Sequence, residues 1–200
     1  MEKICIAGGI GSGKSVVSRI LRLKGHPVYD CDTRARSLLD GSDELRRSVA
    51  EYFGPEAFGA DGRADRRYIA SRVFANPEEL AALNRMTHRA VLRDFEEFVA
   101  SHADWRGPLF VESAIPVTSG LWRLCDAIWE VWVPQEERIR RCMLRDSCGR
   151  EEVEARISAQ KGELGGAVGI PVTRIDNGGN VALLPQIDSL LENTEHKHTK

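Results

Sequence analysis

The sequence lacks any long apolar run, and this absence argues against a membrane-spanning helix. A bilayer requires about 20 consecutive, predominantly apolar residues, and no stretch of the 200-residue chain comes close. A secretory signal is also missing, because the N-terminal residues M-E-K-I-C-I-A-G-G run directly into a glycine-rich segment. We therefore expect a cytoplasmic protein with no membrane partner.

An excess of charge of one sign is missing as well. The 28 Lys and Arg residues nearly balance the 30 Asp and Glu residues, and the formal net charge is −2. Proteins that bind nucleic acid through a general electrostatic field are usually basic, so we expect no nucleic-acid partner. The five cysteines are scattered and include no C-x-x-C pair, which argues against a disulfide scaffold or a zinc site.

What is present is an alternation of short apolar strands with amphipathic helices. Strand patterns cover residues 3–7, 27–30, 109–112, 127–133 and 172–175. Helical patterns cover residues 15–23, 135–146, 151–160 and 181–192. Strands that alternate with helices in this way predict an α/β fold with a doubly wound parallel sheet.

The alternation is interrupted at residues 32–102, where helical periodicity continues without a convincing strand. We predict one domain over residues 1–200 in which this segment is a helical insertion. The predicted core comprises residues 1–31, 103–135 and 171–193. Residues 136–170 are predicted to form a lid, because the glycine-rich stretch at 162–169 is typical of a mobile loop. The polar tail at 195–200 is expected to fray.

The segment G-G-I-G-S-G-K-S at residues 8–15 fits the phosphate-binding pattern G-x-x-x-x-G-K-S between a strand and a helix. Its backbone N–H groups form a nest for phosphate oxygens, and glycine lets the backbone approach them closely. The helix N-terminus and Lys14 add positive charge, and the Ser15 hydroxyl is suited to Mg²⁺. The predicted nucleotide-binding residues are Gly9, Gly11, Ser12, Gly13, Lys14, Ser15 and Val16.

Two carboxylates, Asp30 and Asp32, follow the second predicted strand. Residues two apart in an extended chain face the same way, so we expect both side chains to point toward the phosphate loop. One carboxylate would then accept a proton from an attacking hydroxyl, and the other would hold a magnesium-bound water. The alternative is a turn in which an Asp side chain caps the next helix.

Three arginines, Arg138, Arg141 and Arg145, are spaced so that they form a stripe along one helix face. Such a stripe is suited to binding β- and γ-phosphates and to neutralising charge in the transition state. A solvated basic face is the alternative. The nearby glycine-rich loop favours phosphate contact, because a lid keeps water away from the γ-phosphate.

Several stretches spread over nearly the whole chain carry a family resemblance. In order, they are I-A-G-G-I-G-S-G-K-S, V-Y-D-C-D-T-R-A-R, F-A-N-P-E-E-L-A-A-L-N-R-M-T-H, V-E-S-A-I, S-G-L-W, V-P-Q-E-E-R-I-R-R-C-M-L-R-D, A-R-I-S-A-Q and I-D-N. With them the chain resembles the dephospho-CoA kinases. The resemblance implies a P-loop kinase fold with an acceptor-binding helical insertion and a lid. It also implies ATP-dependent phosphorylation of the ribose 3′-hydroxyl of dephospho-CoA, with Mg²⁺ as cofactor.

The resemblance implies roles for individual residues. Asp32 is expected to be the base on the 3′-hydroxyl, and Arg36 and His88 are expected along the acceptor groove. Asp30 is expected to hold Mg²⁺ through a water. The other implied roles are phosphate contacts for Arg141 and Arg145, a position beside adenine for Asn177, and a catalytic set of Asp32, Lys14 and Arg141.

The chain also departs from the family pattern. Arg89 follows His88 where proline is usual, Thr118 replaces a carboxylate, Pro116 removes a backbone donor, and Pro171-Val172 replaces A-D. One alternative is therefore another small-molecule kinase that acts on a nucleoside or nucleoside monophosphate. A second is a non-catalytic, nucleotide-dependent switch. We expect a monomer or a weak homo-oligomer.

Overall fold

A sheet of five short strands organises the phosphate-loop region in a computed structural model of the chain, which describes residues 1–197. The strands are β1 (Lys3–Ala7), β2 (Val28–Asp30), β3 (Leu109–Glu112), β4 (Ala127–Trp132) and β5 (Val172–Asp176). Their order across the sheet is β2-β3-β1-β4-β5, and β1 runs parallel to both β3 and β4. The predicted doubly wound parallel sheet is confirmed.

Eight helices are described in residues 1–197. They are α1 (Lys14–Leu23), α2 (Cys31–Gly41), α3 (Asp43–Phe53), α4 (Arg66–Ala75), α5 (Pro77–Ser101), α6 (Gln135–Asp146), α7 (Arg150–Ala159) and α8 (Leu183–Lys197). The polar tail predicted to fray comprises residues 195–200, but α8 continues through Lys197. Residues 198–200 and the side chains of 195–197 lie outside the described part. No helix in that part combines the length and the apolar character needed to cross a membrane.

The central strand β1 is buried on both faces, as its near-continuous apolar sequence predicts for a parallel sheet. Ile4 and Ile6 have no exposed surface and pack in one cluster with Phe110 of β3 and Leu21 of α1. Fully burying a side chain of this size contributes about 1.5–3 kcal/mol to stability. This packing fixes the carboxyl end of β1, from which the phosphate loop emerges.

The chain divides into two compact units by its internal contacts. The phosphate-loop unit comprises Met1–Tyr29 and the chain from Ala103 onward, and the helical unit comprises Asp30–His102. The helical unit contains α2 to α5 and has its own apolar core, which includes Leu45, Val49 and Phe53. The long helix α5 begins with Asn76 as its N-cap and Pro77 in its first turn, which are preferred residues at those positions.

One local expectation is wrong. The strand β2 ends at Asp30, and Cys31 already begins α2, so Asp30 and Asp32 do not share one face of an extended chain. The physical reason is helix capping: the Asp30 carboxylate accepts hydrogen bonds from the backbone N–H and the hydroxyl of Thr33, both at 3.0 Å. An Asp at this position starts a helix by satisfying a backbone donor of the first turn.

Candidate active site

The glycines of the phosphate loop occupy positions that other residues fit poorly. Gly11 and Gly13 have φ values of 78° and 89°, in the left-handed region. A Cβ atom on Gly11 would lie 2.7 Å from the carbonyl oxygen of Arg138 and 2.8 Å from the sulfur of Cys142. A Cβ atom on Gly13 would overlap the side-chain amide of Asn177. The glycines therefore let other segments of the chain approach the loop closely.

Three polar side chains from distant segments hold the loop backbone. The Ile10 N–H donates to Oε1 of Gln160, which follows α7, at 2.8 Å. The Ile10 carbonyl accepts from Nε of Arg138 on α6, also at 2.8 Å. The Ser12 carbonyl accepts from Nδ2 of Asn177, which follows β5, at 2.8 Å. The loop is thus fixed by residues that are 128 to 165 positions away in sequence.

Lys14 begins α1 and lies at the mouth of the loop. Its Nζ atom donates to the carbonyl oxygen of Gly8 at 2.7 Å, so the ammonium group lies over the start of the loop. Ser15 follows in the first turn of α1, where backbone N–H groups have no carbonyl of a preceding turn to bind. The helix end and the ammonium group together make this region suited to an anion.

The three arginines of the predicted stripe have different environments. Arg138 is half-buried against the loop, and burial lowers its pKa, although an arginine stays charged at neutral pH. Arg141 donates to Glu137 at 2.8 Å and to the carbonyl oxygen of Asn177 at 3.0 Å. Arg145 makes two hydrogen bonds to Asp146, at 2.7 and 2.9 Å. The structure therefore brings Arg138 and Arg141 to the loop and its neighbours, whereas Arg145 is paired with the adjacent carboxylate.

The electrostatic partner of Arg141 is Glu137. Hydrogen bonds from Arg140 and Arg141 lower the pKa of Glu137 to about 2. The carboxylate therefore remains ionised far below neutral pH and holds the Arg141 guanidinium in one orientation. This orientation is the one in which Arg141 also contacts Asn177.

A cavity of about 420 Å³ adjoins the loop within the phosphate-loop unit. Its walls include Gly8, Gly9, Arg138, Lys161 and Glu163. This volume lies in the range of about 300–1,000 Å³ that is typical of small-molecule sites. Two cationic side chains, two loop glycines and two carboxylates, Glu130 and Glu163, line it, so its charged side chains are balanced in sign and the excess positive charge of the region comes from Lys14 and the helix end.

The segment predicted to form a lid contains a hydrogen-bonded carboxylate that the sequence analysis missed. Glu163 lies in a short helical turn, Glu163–Gly166, and its Oε1 atom accepts from the backbone N–H groups of Val117 and Thr118, both at 2.7 Å. Its Oε2 atom accepts from the Thr118 hydroxyl at 2.7 Å. Thr118, one of the departures from the family pattern, is therefore a hydrogen-bond partner of Glu163 in this chain.

Three residues predicted at the acceptor lie in the helical unit. Asp32 lies in the first turn of α2 and Arg36 lies four residues later, so both are on one helix face. His88 lies on α5. The helices α2 and α5 are joined by a hydrogen bond of 2.7 Å from Nε of Arg34 to Asp94. The predicted acceptor residues are thus carried by two helices that are directly linked.

Gln160 was also missed as a site residue, although the stretch A-R-I-S-A-Q that ends with it was part of the family resemblance. No local pattern indicates that a glutamine at a helix end reaches a loop 150 residues earlier. Arg138 was predicted as part of an arginine stripe suited to phosphates, and in the structure its Nε atom donates to the Ile10 carbonyl of the loop. The family resemblance of the stretch that ends at Gln160 was the sequence feature that could have marked it as a site residue.

The fold and the glycine loop define a kinase of the P-loop class. Shikimate kinase from Acinetobacter baumannii, solved in complex with shikimate, has a similar fold with a TM-score of 0.55. It is 14% identical in sequence, and the match covers 100% of this chain and 96% of that chain. At this identity the likeness concerns the fold alone.

Closer relatives define the family. The dephospho-CoA kinase family model matches residues 3–165. The dephospho-CoA kinase of Carboxydothermus hydrogenoformans is 36% identical over 182 residues, which cover 89% of this chain and 86% of that protein. The crystal structure of TT1252 from Thermus thermophilus matches with a TM-score of 0.75 and 34% identity, over 98% of this chain and 97% of that chain. The chain belongs to the dephospho-CoA kinase family, and the predicted family is confirmed.

Proposed function

We infer that the protein transfers the γ-phosphoryl group of ATP to the ribose 3′-hydroxyl of dephospho-CoA, giving coenzyme A and ADP. Membership of the dephospho-CoA kinase family over most of the chain carries this inference. The geometry of the phosphate loop supports it, because Lys14 and the start of α1 lie where a triphosphate can be bound. Phosphoryl transfer depends chiefly on positioning and charge stabilisation, which such a loop supplies.

On the donor side, the loop amides bind the phosphates and Lys14 moves from the Gly8 carbonyl to the transferring phosphoryl group. Arg141 stabilises the negative charge that spreads over the phosphoryl oxygens in the transition state. Arg145 reaches the phosphates after leaving Asp146, its partner in this structure. The remaining proposed ATP contacts are Gly9, Gly11, Ser12, Gly13, Ser15, Val16 and Asn177.

The proposed cofactor is Mg²⁺, which would neutralise part of the negative charge of the phosphates. The ion prefers oxygen ligands, keeps several waters and needs only one or two protein groups beside the phosphates. The Ser15 hydroxyl fits the role of a direct ligand, and Asp30 is proposed to act through a water. Among the side chains that the structure describes, those of residues 1–194, no cluster of three or more His, Cys, Asp or Glu that could hold a metal is found.

On the acceptor side, we assign Asp32 as the base that accepts the proton of the 3′-hydroxyl, and Arg36 and His88 as contacts of dephospho-CoA. Asp32 is exposed at the start of α2, so its carboxylate is accessible to a substrate. A carboxylate in hydrogen-bond reach of the attacking hydroxyl contributes about 10²–10⁴-fold to the rate. A cytoplasmic location and a monomeric or weakly associating state stay predictions.

Mass spectrometry of dephospho-CoA after incubation with the protein, ATP and Mg²⁺ tests the proposed reaction. We expect a product that has gained one phosphate and forms only when ATP, Mg²⁺ and protein are all present. Adenosine and AMP serve as alternative acceptors in parallel reactions. Phosphorylation of these acceptors but not of dephospho-CoA would assign the protein to another class of small-molecule kinase. Nucleotide binding without any phosphorylated acceptor would indicate a switch.

A further inference from the structure

We propose that Gln160 and Arg138 are positioning residues that clamp the peptide groups of Ile10 and thereby hold the phosphate loop in its ATP-binding shape. This inference rests on the proposed function, because it assigns the loop to ATP. Neither residue is proposed to touch the reacting atoms. Both act through the loop backbone.

The clamp holds both polar backbone groups of one residue. The Ile10 N–H donates to Oε1 of Gln160, and the Ile10 carbonyl accepts from Nε of Arg138, each at 2.8 Å. The Ile10 side chain packs against a buried cluster of Ile139, Cys142, Val153 and Ile157, which belongs to α6 and α7. Ile10 is therefore fixed at three points by the same two helical segments.

The residues around Ile10 explain why the loop needs such a clamp. Gly9 and Gly11 flank it, and glycine loses more backbone freedom on ordering than any other residue. A Cβ atom on Gly9 would overlap the Arg138 guanidinium, and Gly11 packs against the Arg138 backbone. The glycines make room for Arg138, and Arg138 in turn restricts the glycines.

The position of Gln160 connects the clamp to the region after α7. Gln160 is the C-cap residue of α7, and its own backbone N–H donates to the Ile157 carbonyl at 3.1 Å. The helix end therefore sets the direction from which the side chain reaches the loop. Lys161 and Glu163 follow directly and line the cavity beside Gly8 and Gly9. A displacement of this segment alters the contact to Ile10.

Loss of the acceptor oxygen at residue 160 tests the clamp. Gln160→Leu keeps the size of the side chain but leaves the Ile10 N–H without its partner. We expect amide hydrogen exchange at Ile10, measured by NMR on the full chain without ligand, to become at least about tenfold faster. We expect the KM for ATP to rise about five- to tenfold, with kcat changed less than about threefold.

Two further variants separate positioning from general destabilisation. Gln160→Glu keeps an acceptor oxygen at similar reach, so we expect Ile10 protection to be retained. Its ATP affinity is not compared, because the added negative charge repels phosphate by itself. Glu151→Ala, on the exposed first turn of α7, is the matched control and should leave both Ile10 exchange and the KM for ATP within about twofold.

Unchanged Ile10 exchange and unchanged KM for ATP in Gln160→Leu overturn the proposal. Loss of Ile10 protection in Gln160→Glu does the same. Should Gln160→Leu fail to fold, Arg138→Lys provides the second test, since it keeps the positive charge but places a methylene group where Nε donates to the Ile10 carbonyl. We expect the KM for ATP to rise in Arg138→Lys as well, and an unchanged KM overturns the proposal.

The clamp and the proposed function can fail separately. Measurements of Ile10 exchange and of binding of a non-hydrolysable ATP analogue need no acceptor substrate. A wild-type protein that binds the analogue but leaves dephospho-CoA unmodified therefore refutes the proposed function and not the clamp.

Discussion

The two units of the chain hold their predicted site residues in different ways. In the phosphate-loop unit, the backbone of residues 8–15 is bound by side chains from α6, from the end of α7 and from the segment after β5. In the helical unit, Asp32 and Arg36 lie on the surface of one helix and depend on its N-cap, Asp30, for their position. One region is positioned by long-range contacts and the other by local helix geometry.

This difference separates the expected effects of substitutions. In the phosphate-loop unit, a change at Lys14 should disturb ATP binding and turnover together, whereas a change at the side chains that support the loop should chiefly raise the KM for ATP. Changes at Asp32 should leave ATP binding almost intact and affect the step that uses the acceptor. Changes at Asp30 should first affect the stability of α2, because its carboxylate is bound to Thr33.

The largest effect is expected at Lys14. In Lys14→Met the positive charge near the transferring phosphoryl group is lost while the side-chain stem is kept. We expect kcat to fall by about 10²–10³-fold, the usual loss when one preorganised charge-stabilising group is removed, and ATP affinity to fall as well. Steady-state kinetics and ATP titration measure both. Lys24→Met is the control, because Lys24 pairs with Asp188 at the surface and its loss should change turnover less than about twofold.

The next largest effects are expected at Asp32 and Asp30, where one substitution should lower turnover and the other should lower stability. We expect Asp32→Ala to lower kcat by about 10²-fold or more, with the KM for ATP within about threefold. We expect Asp30→Ala to lower the free energy of unfolding by about 0.5–2 kcal/mol through loss of the N-cap. Urea unfolding and steady-state kinetics on both variants provide the two readouts.

Asp30→Asn then separates capping from magnesium binding, because Asn caps a helix as well as Asp does. A variant that is as stable as the wild type but slower supports the proposed magnesium-bound water. Turnover that survives in Asp32→Ala within a factor of about three contradicts the assignment of the base.

The smallest effect concerns Glu137, whose carboxylate orients Arg141. Its pKa in the folded chain is about 2, against an ordinary value of 4.5, so the stabilisation is fully present above pH 4.5. As the pH falls toward 2 the carboxylate becomes protonated and the stabilisation is lost. We therefore expect the difference in unfolding free energy between wild type and Glu137→Gln to be constant above pH 5 and to vanish near pH 2. Urea unfolding at a series of pH values across this range measures the difference. If the loss of the difference is centred near pH 4.5 and not below it, the hydrogen bonds from Arg140 and Arg141 to Glu137 are contradicted.

Much of the fold follows from local patterns. The strands at 3–7 and 109–112 and the helix at 135–146 have the predicted bounds, because apolar runs and helical periodicity there are uninterrupted. The D-C-D segment was misread as extended, although Asp is a preferred N-cap residue and is depleted in strands. Capping had been named as the alternative, and in the structure it prevails because Thr33 supplies the donors.

The phosphate loop and its lysine could be derived from the sequence alone, because they depend on residues that are close together in the chain. The family could be recognised as well, because each of the stretches that carry the resemblance is local, although together they span nearly the whole chain. A glycine spacing, a following lysine and an adjacent strand and helix are local features, and their chemistry is independent of the rest of the fold. The tertiary structure alone decided which side chains hold that loop. Gln160, Arg138 and Asn177 reach it from segments more than 120 residues away, and Glu163 joins Val117 and Thr118 across 45 residues or more. Such contacts depend on where the sheet and its helices place the ends of distant segments, and no local spacing records that placement.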